Sequence, residues 1–197
     1  MKTIIVIPVH LASKRLPRKV LLEIGGKTIL QHVIERVSKA TKYNEIWIAT
    51  TKNKEDDDIV EFLEPNGKKR FPYVHLFRGQ EEDIVSRLVG ITNYSKADII
   101  INVDAEQPNM NPWVIDKTIQ FIEHGYQFFG QVGIHLGHRC YGFSREFLKL
   151  VWAKHKGESI TDNWWRLFEG EQMKEAQYCV DNLDDYNQTK TLMEKEK

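Results

Sequence analysis

Near its N-terminus the chain reads Ile4-Ile5-Val6-Ile7-Pro8-Val9-His10-Leu11-Ala12-Ser13-Lys14-Arg15-Leu16-Pro17-Arg18-Lys19. The apolar first part predicts a buried strand over residues 3–8, and a cationic loop follows at the carboxyl end of that strand. In open α/β sheets, ligands bind in the crevice outside these strand ends. Arg15, Lys19, Ser13 and the loop N–H groups suit phosphate oxygens, so the loop is a candidate polyphosphate site. An ordinary solvated surface loop is the alternative.

Working outward from this segment, strands and helices alternate along the chain. The apolar runs predict further strands at residues 45–50, 74–78 and 98–103, and the helical spacing predicts helices at 28–41, 53–63, 82–92 and 112–124. The strands are near-continuous apolar runs, which indicates burial on both faces and an α/β fold with a parallel sheet covered by helices. Farther along, the pattern weakens and predicts strands at 128–135 and 139–143, and helices at 144–155 (with Ser144 as N-cap), 161–168 and 183–196.

Composition excludes several classes of protein. The 28 Lys and Arg residues balance the 28 Asp and Glu residues, so a general nucleic-acid binder is not expected. Cys140 and Cys179 show no pairing pattern and are expected to be reduced thiols. No apolar run is long enough to cross a membrane, and the first one is too short and is broken by Pro8, unlike a signal peptide. A cytoplasmic protein is the default expectation.

An acidic turn follows the predicted strand at residues 98–103 and reads Asn102-Val103-Asp104-Ala105-Glu106-Gln107-Pro108. Asp104 and Glu106 are two residues apart, so in extended chain their side chains point to the same side. Hard oxygen ligands at this edge are what a Mg²⁺ ion holding a nucleotide phosphate requires. The alternative is that the acidic residues cap the turn and the helix after it.

A third candidate lies near the C-terminus, in the segment Val180-Asp181-Asn182-Leu183-Asp184-Asp185-Tyr186. Asp181 suits a helix N-cap, or a second metal ligand if the turn returns to the sheet edge. His135 and His138 have metal-like spacing, but no set of cysteines or carboxylates completes a zinc site. Neither a P-loop, a Gly-x-Gly-x-x-Gly fingerprint nor a serine nucleophile elbow is present. A phosphate site therefore requires another type of loop.

Three segments carry a resemblance to a known family. Residues 7–19 are similar to its Ile-Pro-Ala-Arg…Ser-x-Arg-Leu-Pro-Gly-Lys motif, residues 77–87 resemble a segment of its SpsF-like branch, and residues 180–185 resemble its Val-Asp-Thr-Pro-Glu-Asp motif. The chain thus resembles the cytidylyltransferases of the CMP-sugar synthetase group, which includes CMP-Kdo synthetases, acylneuraminate cytidylyltransferases and SpsF-like proteins. The resemblance covers residues 3–125 well and 139–190 loosely. It implies a Rossmann-like, mostly parallel sheet of the nucleotide-diphospho-sugar transferase type.

The resemblance also implies an activity. Such an enzyme activates an acidic sugar, of the 3-deoxy-ulosonic or sialic type, with CTP and Mg²⁺ to give a CMP-sugar and pyrophosphate. Arg15 and Lys19 would be the catalytic cations on the phosphates, and Glu106 and Asp181 would hold the metal, with Asp104 as a substitute. The implied nucleotide-binding residues are Pro8, His10, Ala12, Ser13, Arg15, Lys19, Arg78 and Asp104.

Some positions depart from the family pattern. His10 stands where the family has Arg, Arg18 replaces the Gly of Leu-Pro-Gly-Lys, and Ala105-Glu106 replaces Gly-Asp. By comparison with the family, we expect a single domain spanning 1–197 in which residues 126–180 form a shortened acceptor and oligomerisation region. A short region of this kind weakens the expectation of a homodimer. Two alternatives stay open: a nucleotidyltransferase for a phosphonate or polyol phosphate acceptor, and a non-catalytic nucleotide-binding protein.

Overall fold

The computed structural model describes residues 1–13, 16–81, 83–130, 139–156 and 158. The strands in this part of the chain are β1 (Thr3–Pro8), β2 (Glu23–Ile24), β3 (Lys27–Thr28), β4 (Glu45–Thr51), β5 (Val74–Gly79), β6 (Ile99–Val103), β7 (Phe128–Gly130) and β8 (Cys140–Ser144). The helices are α1 (Ile29–Val37), α2 (Asp57–Leu63), α3 (Ile84–Ser95), α4 (Pro112–Glu123) and α5 (Arg145–Lys154).

The central sheet has the strand order β5-β4-β1-β6-β8-β7. β1 pairs in parallel with both β4 and β6, and β4 pairs in parallel with β5. β8 runs antiparallel to both β6 and β7. The prediction of a mostly parallel sheet flanked by helices is therefore confirmed. The chain builds β4 and β5 on one side of β1 and then returns to add β6 on the other, so a crevice forms above β1 and β6.

Helices cover both faces of this sheet. Alternate side chains of β1 point to opposite faces, so Ile5 and Ile7 pack with α1, α2 and α4, whereas Ile4 and Val6 pack with α3 and α5. This double burial explains why the strand is a continuous apolar run without polar alternation. Among the helices of the described residues, none combines the length and the apolar character needed to cross a bilayer.

Several boundaries differ from the predicted ones. The helix expected at 28–41 ends at Val37, and the one expected at 53–63 divides into a 3-10 turn (Lys54–Asp56) and α2. The β2–β3 hairpin was not predicted; its turn residues Gly25 and Gly26 both have positive φ, as a type I′ turn requires. Ser144 does cap α5, accepting a hydrogen bond from the Phe147 N–H at 3.2 Å. The helices predicted at 161–168 and 183–196 lie outside the described residues.

Candidate active site

Two loops meet over the crevice between β1 and β6. One is the cationic loop that follows β1, and the other is the acidic turn that follows β6. Lys19 from the first forms an ion pair with Glu106 from the second, and their side chains are 25% and 48% exposed. The fold thus places a predicted phosphate-binding cation in contact with a predicted metal ligand, where both remain accessible to a ligand.

Asp104 lies in the same turn and is half-buried. Its carboxylate accepts hydrogen bonds from the Asn102 side-chain amide at 3.2 Å and from the Gln107 side-chain amide at 3.3 Å. Burial raises the pKa of Asp104; the Asn102 hydrogen bond, the charge of Lys19 and the Gln107 hydrogen bond oppose that rise. A metal cation close to this carboxylate would oppose it further, because positive charge favours the ionised form.

The acidic turn also holds oxygen atoms without partners. Asn102 Oδ1 and Gln107 Oε1 are buried and accept no hydrogen bond in the described part of the chain. The Asp104 and Glu106 carboxylates of the same turn are oxygen donors of the kind that Mg²⁺ prefers. Among the described residues, no group of three or more His, Cys, Asp or Glu side chains is arranged to hold a metal ion. The residues present fit Mg²⁺, and Asp181, the other expected ligand, lies outside the described ranges.

The described part of the loop after β1 places Pro8, His10, Ala12 and Ser13 on the same edge. Pro8 is the half-buried last residue of β1, and His10 and Ala12 are exposed just beyond it. The Ser13 hydroxyl accepts a hydrogen bond from the Leu16 N–H at 3.4 Å. Arg15 falls outside the described residues. The loop therefore presents an accessible surface above β1, while the nucleotide roles of these residues stay predictions.

Asp56 organises this edge, and it was not predicted as a site residue. Its buried carboxylate accepts hydrogen bonds from the Leu11 N–H at 2.8 Å and from the Thr51 hydroxyl at 2.5 Å. It thereby ties the loop after β1 to the end of β4. Nothing in the sequence distinguishes Asp56 from its acidic neighbours, whose position suits the positive end of a helix dipole.

Arg78 braces the loop between β4 and α2. Its guanidinium donates hydrogen bonds to the Thr51 carbonyl at 2.8 Å and to the Asn53 carbonyl at 2.9 Å, and it pairs with Asp57 at 2.8 Å. These three contacts use all three guanidinium nitrogens, Nε, Nη2 and Nη1. A role for Arg78 in nucleotide binding stays a prediction, and it would require the side chain to exchange at least one of these partners.

Similarity to known proteins shows the family of this chain. Residues 4–192 match the Cytidylyltransferase family model. The chain belongs to the cytidylyltransferase family. This cytidylyltransferase family member is 32% identical over 166 residues to the uncharacterized protein MJ1063 of Methanocaldococcus jannaschii, covering 82% of this chain and 66% of that protein. It is 34% identical over 119 residues to the 3-deoxy-manno-octulosonate cytidylyltransferase of Escherichia coli. That match covers 60% of this chain and 45% of the relative, so the chain spans less than two thirds of either relative.

Solved structures show the same fold. A cytidylyltransferase from Leptospira borgpetersenii superposes on this family member with a TM-score of 0.78 at 21% identity, covering 94% of this chain and 84% of that one. The structure of CMP:2-keto-3-deoxy-manno-octonic acid synthetase complexed with CTP superposes with a TM-score of 0.63 at 22% identity, covering 100% of both chains. The fold is therefore of the nucleotide-diphospho-sugar transferase type, as the resemblance implied.

Proposed function

We propose that this protein is a Mg²⁺-dependent cytidylyltransferase that transfers the CMP part of CTP to an acidic sugar and releases pyrophosphate. The observation that carries the proposal is the contact between Lys19 and Glu106 over the β1–β6 crevice, in a chain that belongs to this family. The name of the Escherichia coli relative supports a 3-deoxy-ulosonic acid as acceptor. The CTP complex of a protein with the same fold supports CTP as the nucleotide.

Nucleotide binding would reorganise the ion pair. Lys19 would exchange the Glu106 carboxylate for a phosphate oxygen, and Arg15, Ser13 and the loop N–H groups would contact the remaining phosphate oxygens. The carboxylate released by Lys19 would then hold Mg²⁺ together with Asp104 or Asp181. When bound, Mg²⁺ would neutralise phosphate charge and make the α-phosphorus more electrophilic.

The reaction itself is an in-line displacement. A hydroxyl oxygen of the acceptor attacks the α-phosphorus and forms a new P–O bond, and its proton passes to the solvent. The bond from the α-phosphorus to the oxygen that bridges to the β-phosphate breaks, and pyrophosphate leaves with the bonding electrons. Lys19 and Arg15 would stabilise the charge that develops on this leaving group, so catalysis rests on positioning and electrostatics.

A pyrophosphate-release assay tests the activity directly. The four nucleoside triphosphates are each combined with 3-deoxy-ulosonic acids, sialic acids, a phosphonate and a polyol phosphate. We expect release with CTP and an acidic sugar, and loss of release when EDTA removes the metal. If only the phosphonate or the polyol phosphate gives release, that compound class, and not an acidic sugar, is the acceptor. If isothermal titration shows nucleotide binding but no acceptor gives pyrophosphate release, the protein is a non-catalytic nucleotide-binding protein. If no nucleotide binds in the presence of Mg²⁺, both the transferase and the non-catalytic nucleotide-binding protein are rejected.

Substitutions test the contact that carries the proposal. Lys19→Gln should raise the KM for CTP by about tenfold or more, because a charge-assisted phosphate contact is lost. Glu106→Gln should lower kcat and raise the Mg²⁺ concentration needed for half-maximal rate. Lys27→Gln is the matched control, since Lys27 also pairs with a glutamate, Glu35, but lies on the β2–β3 hairpin and is not a predicted site residue. An unchanged KM in Lys19→Gln would contradict the proposed role.

A further inference from the structure

The cationic loop after β1 is closed at its base by Leu11 and Arg18, which together form the loop neck. The Leu11 carbonyl accepts hydrogen bonds from the Ser13 N–H at 2.9 Å and from the Arg18 N–H at 3.1 Å. The second of these bonds brings the two ends of the loop together. Lys19 follows Arg18 directly in the chain. The place at which the neck is held therefore sets the positions of Ser13 and Lys19.

Asp56 attaches the loop neck to the sheet. The Leu11 side chain is fully buried, and its N–H donates a hydrogen bond to Asp56 Oδ1 at 2.8 Å. Asp56 Oδ2 accepts hydrogen bonds from the Thr51 hydroxyl at 2.5 Å and from the Thr51 N–H at 3.3 Å. Thr51 is the last residue of β4, the strand that pairs with β1. The two oxygens of one carboxylate thus join the neck to the end of β4.

The place of Asp56 in the sequence predicts a different use for its carboxylate. Asp56 directly precedes α2, where an aspartate commonly caps the helix by accepting a hydrogen bond from a backbone N–H of the first turn. The Asp56 side chain makes no such bond. Only 2% of the residue is exposed, and a buried carboxylate is costly unless hydrogen bonds satisfy it. The carboxylate therefore serves the loop neck and the end of β4 instead of its own helix.

A second carboxylate from the start of α2 reaches the other half of the neck. Asp58 pairs with the Arg18 guanidinium at 2.6 Å, and these side chains are 54% and 49% exposed. An exposed ion pair of this kind contributes little by itself. The buried contacts of Asp56 are therefore the main attachment of the neck to the rest of the fold.

We propose that Asp56 is a positioning residue for the transfer reaction: it holds the loop neck where Ser13 and Lys19 can contact the phosphates of CTP. This inference rests on the proposed function, which makes Ser13 and Lys19 phosphate contacts. Asp56 itself does not touch the nucleotide, because its carboxylate is buried and carries the same sign of charge as phosphate. It acts through the neck, since a displacement of the loop by about 1 Å is enough to spoil contacts of this kind.

Calorimetric titration of CTP in the presence of Mg²⁺ tests the proposal on the whole chain. Asp56→Ala should raise the Kd for CTP about fivefold or more, because the neck loses its attachment and the phosphate contacts are misplaced. Electrostatics alone predicts the opposite sign, since the removal of a negative charge near a cationic loop favours an anion. The direction of the change in Kd therefore separates positioning from charge.

Thr51 supplies a second variant for the case in which Asp56→Ala does not fold. Thr51→Val removes one hydrogen bond from the Asp56 carboxylate and leaves every charge in place. It should raise the Kd for CTP about twofold or more, because the carboxylate is held less firmly. Thr51→Ser keeps the hydroxyl and should restore the wild-type Kd.

Asp116→Ala is the matched control. The Asp116 carboxylate on α4 also holds a loop, accepting hydrogen bonds from the Thr41 and Lys42 N–H groups and from the Thr41 hydroxyl at 2.8–3.0 Å. No predicted site residue lies in that loop. A loss of folded protein lowers the maximal rate of pyrophosphate release but leaves the KM for CTP unchanged. Asp116→Ala should therefore keep the wild-type Kd and KM, whereas Asp56→Ala should raise both.

The wild type separates this inference from the proposed function. If the wild type binds no nucleotide, the proposed function fails and the positioning role fails with it. If the wild type binds CTP, but the folded Asp56→Ala and Thr51→Val variants bind it equally well or more tightly, Asp56 has only a structural role. An equal rise in Kd for Asp116→Ala would lead to the same conclusion. In these two cases the positioning role is overturned and the proposed function stands.

Discussion

At the scale of single residues, Arg18 holds a backbone conformation that favours glycine. Its φ of 58° and ψ of 17° lie in the left-handed region, where a side chain crowds the backbone. The similar family motif has glycine at this position. The Arg18 N–H donates to the Leu11 carbonyl at 3.1 Å, and the guanidinium pairs with Asp58 at 2.6 Å. The loop therefore keeps a glycine-like turn, and an exposed ion pair offsets part of the strain.

Replacing Arg18 separates strain from charge. Arg18→Gly and Arg18→Ala both lose the Asp58 ion pair, but only glycine relieves the left-handed strain. We expect the glycine variant to be more stable than the alanine variant by about 1 kcal/mol in urea unfolding. Asp58→Ala removes the ion pair and keeps Arg18, and it should cost less than about 1 kcal/mol because both side chains are half-exposed. Equal free energies of unfolding for Arg18→Gly and Arg18→Ala would show that the left-handed backbone of residue 18 is not strained.

Residue patterns predicted part of the candidate site. Lys19, Asp104 and Glu106 could be selected because each follows a buried strand, where ligands bind in α/β folds. Arg87 was not among the predicted site residues, although its position predicts a buried charge. It lies at i+3 from Ile84 and one residue before Leu88, so helical spacing places it on the apolar face of α3. A charged residue at such a position is buried against the sheet and requires a partner.

At the scale of elements, hydrogen bonds connect the β2–β3 hairpin to α1. Thr28 ends β3 and also caps α1, accepting a hydrogen bond from the Gln31 N–H at 3.1 Å. Glu35 on α1 accepts hydrogen bonds from Lys27 at 2.7 Å and from Gln31 at 2.9 Å. The Lys27 hydrogen bond, followed by the one from Gln31, lowers the pKa of Glu35 below its ordinary value of 4.5. The carboxylate thus fastens the hairpin to the helix in its ionised form.

The stability contribution of Glu35 should therefore depend on pH. A carboxyl group with a lowered folded-state pKa stabilises the fold above its unfolded pKa, and this contribution is lost as pH falls through the folded value. Glu35→Gln should cost about 0.5 kcal/mol at neutral pH, and the difference from the wild type should shrink below about pH 4.5. Urea unfolding at several pH values measures this. If the difference in the free energy of unfolding between the wild type and Glu35→Gln is the same below pH 4.5 as at neutral pH, the ionised Glu35 carboxylate does not stabilise the fold through Lys27.

A control variant is available on another helix. Glu123 is the exposed last residue of α4, and no ion pair of its side chain occurs among the described residues. Glu123→Gln should therefore lower the free energy of unfolding at neutral pH by less than Glu35→Gln does. The comparison separates the Lys27 contact from the general effect of removing one negative charge.

Long apolar elements were predictable, and short ones were not. The strands that became β1 and β6 are runs rich in Ile and Val and buried at almost every position, and those that became β4 and β5 contain enough apolar residues to be recognised. The hairpin strands have two residues each, which is too short for any periodic pattern. Gly-Gly pairs are common in turns of all kinds, and only the pairing of β2 with β3 shows that Gly25 and Gly26 close a hairpin.

At the scale of the whole molecule, one glycine allows the antiparallel part of the sheet to pack closely against a helix. Gly142 lies in β8, beneath α4 and beside β6. A Cβ atom at this position would lie 2.7 Å from Thr118 Cγ2, 3.0 Å from Ile122 Cγ1 and 3.3 Å from Ile101 Cδ1. α4 can therefore pack this closely against the sheet only because residue 142 has no side chain.

Adding a methyl group here should weaken the fold. Gly142→Ala should lower the free energy of unfolding by about 1–3 kcal/mol, because a packed core cannot absorb another carbon atom without strain. Adding Thr118→Ser, which removes the nearest methyl group and keeps the hydroxyl, should restore part of the loss. Thermal or urea unfolding measures both effects. If the double variant is no more stable than the sum of the single changes predicts, the Thr118 contact is not the cause.

The sequence by itself determined the fold class, the order of the strands and helices along the chain, and the chemical character of the two loops. These features depend on burial patterns and on charges that are local in the chain. Only the tertiary structure decided that Lys19 meets Glu106 and that Asp56 holds Leu11. Such contacts join residues far apart in sequence, and they follow from sheet order and helix packing, which no local pattern specifies. The sequence shows the loop after β1 as a cationic segment, and the fold makes it one side of a crevice whose other side carries the Asp104 and Glu106 carboxylates.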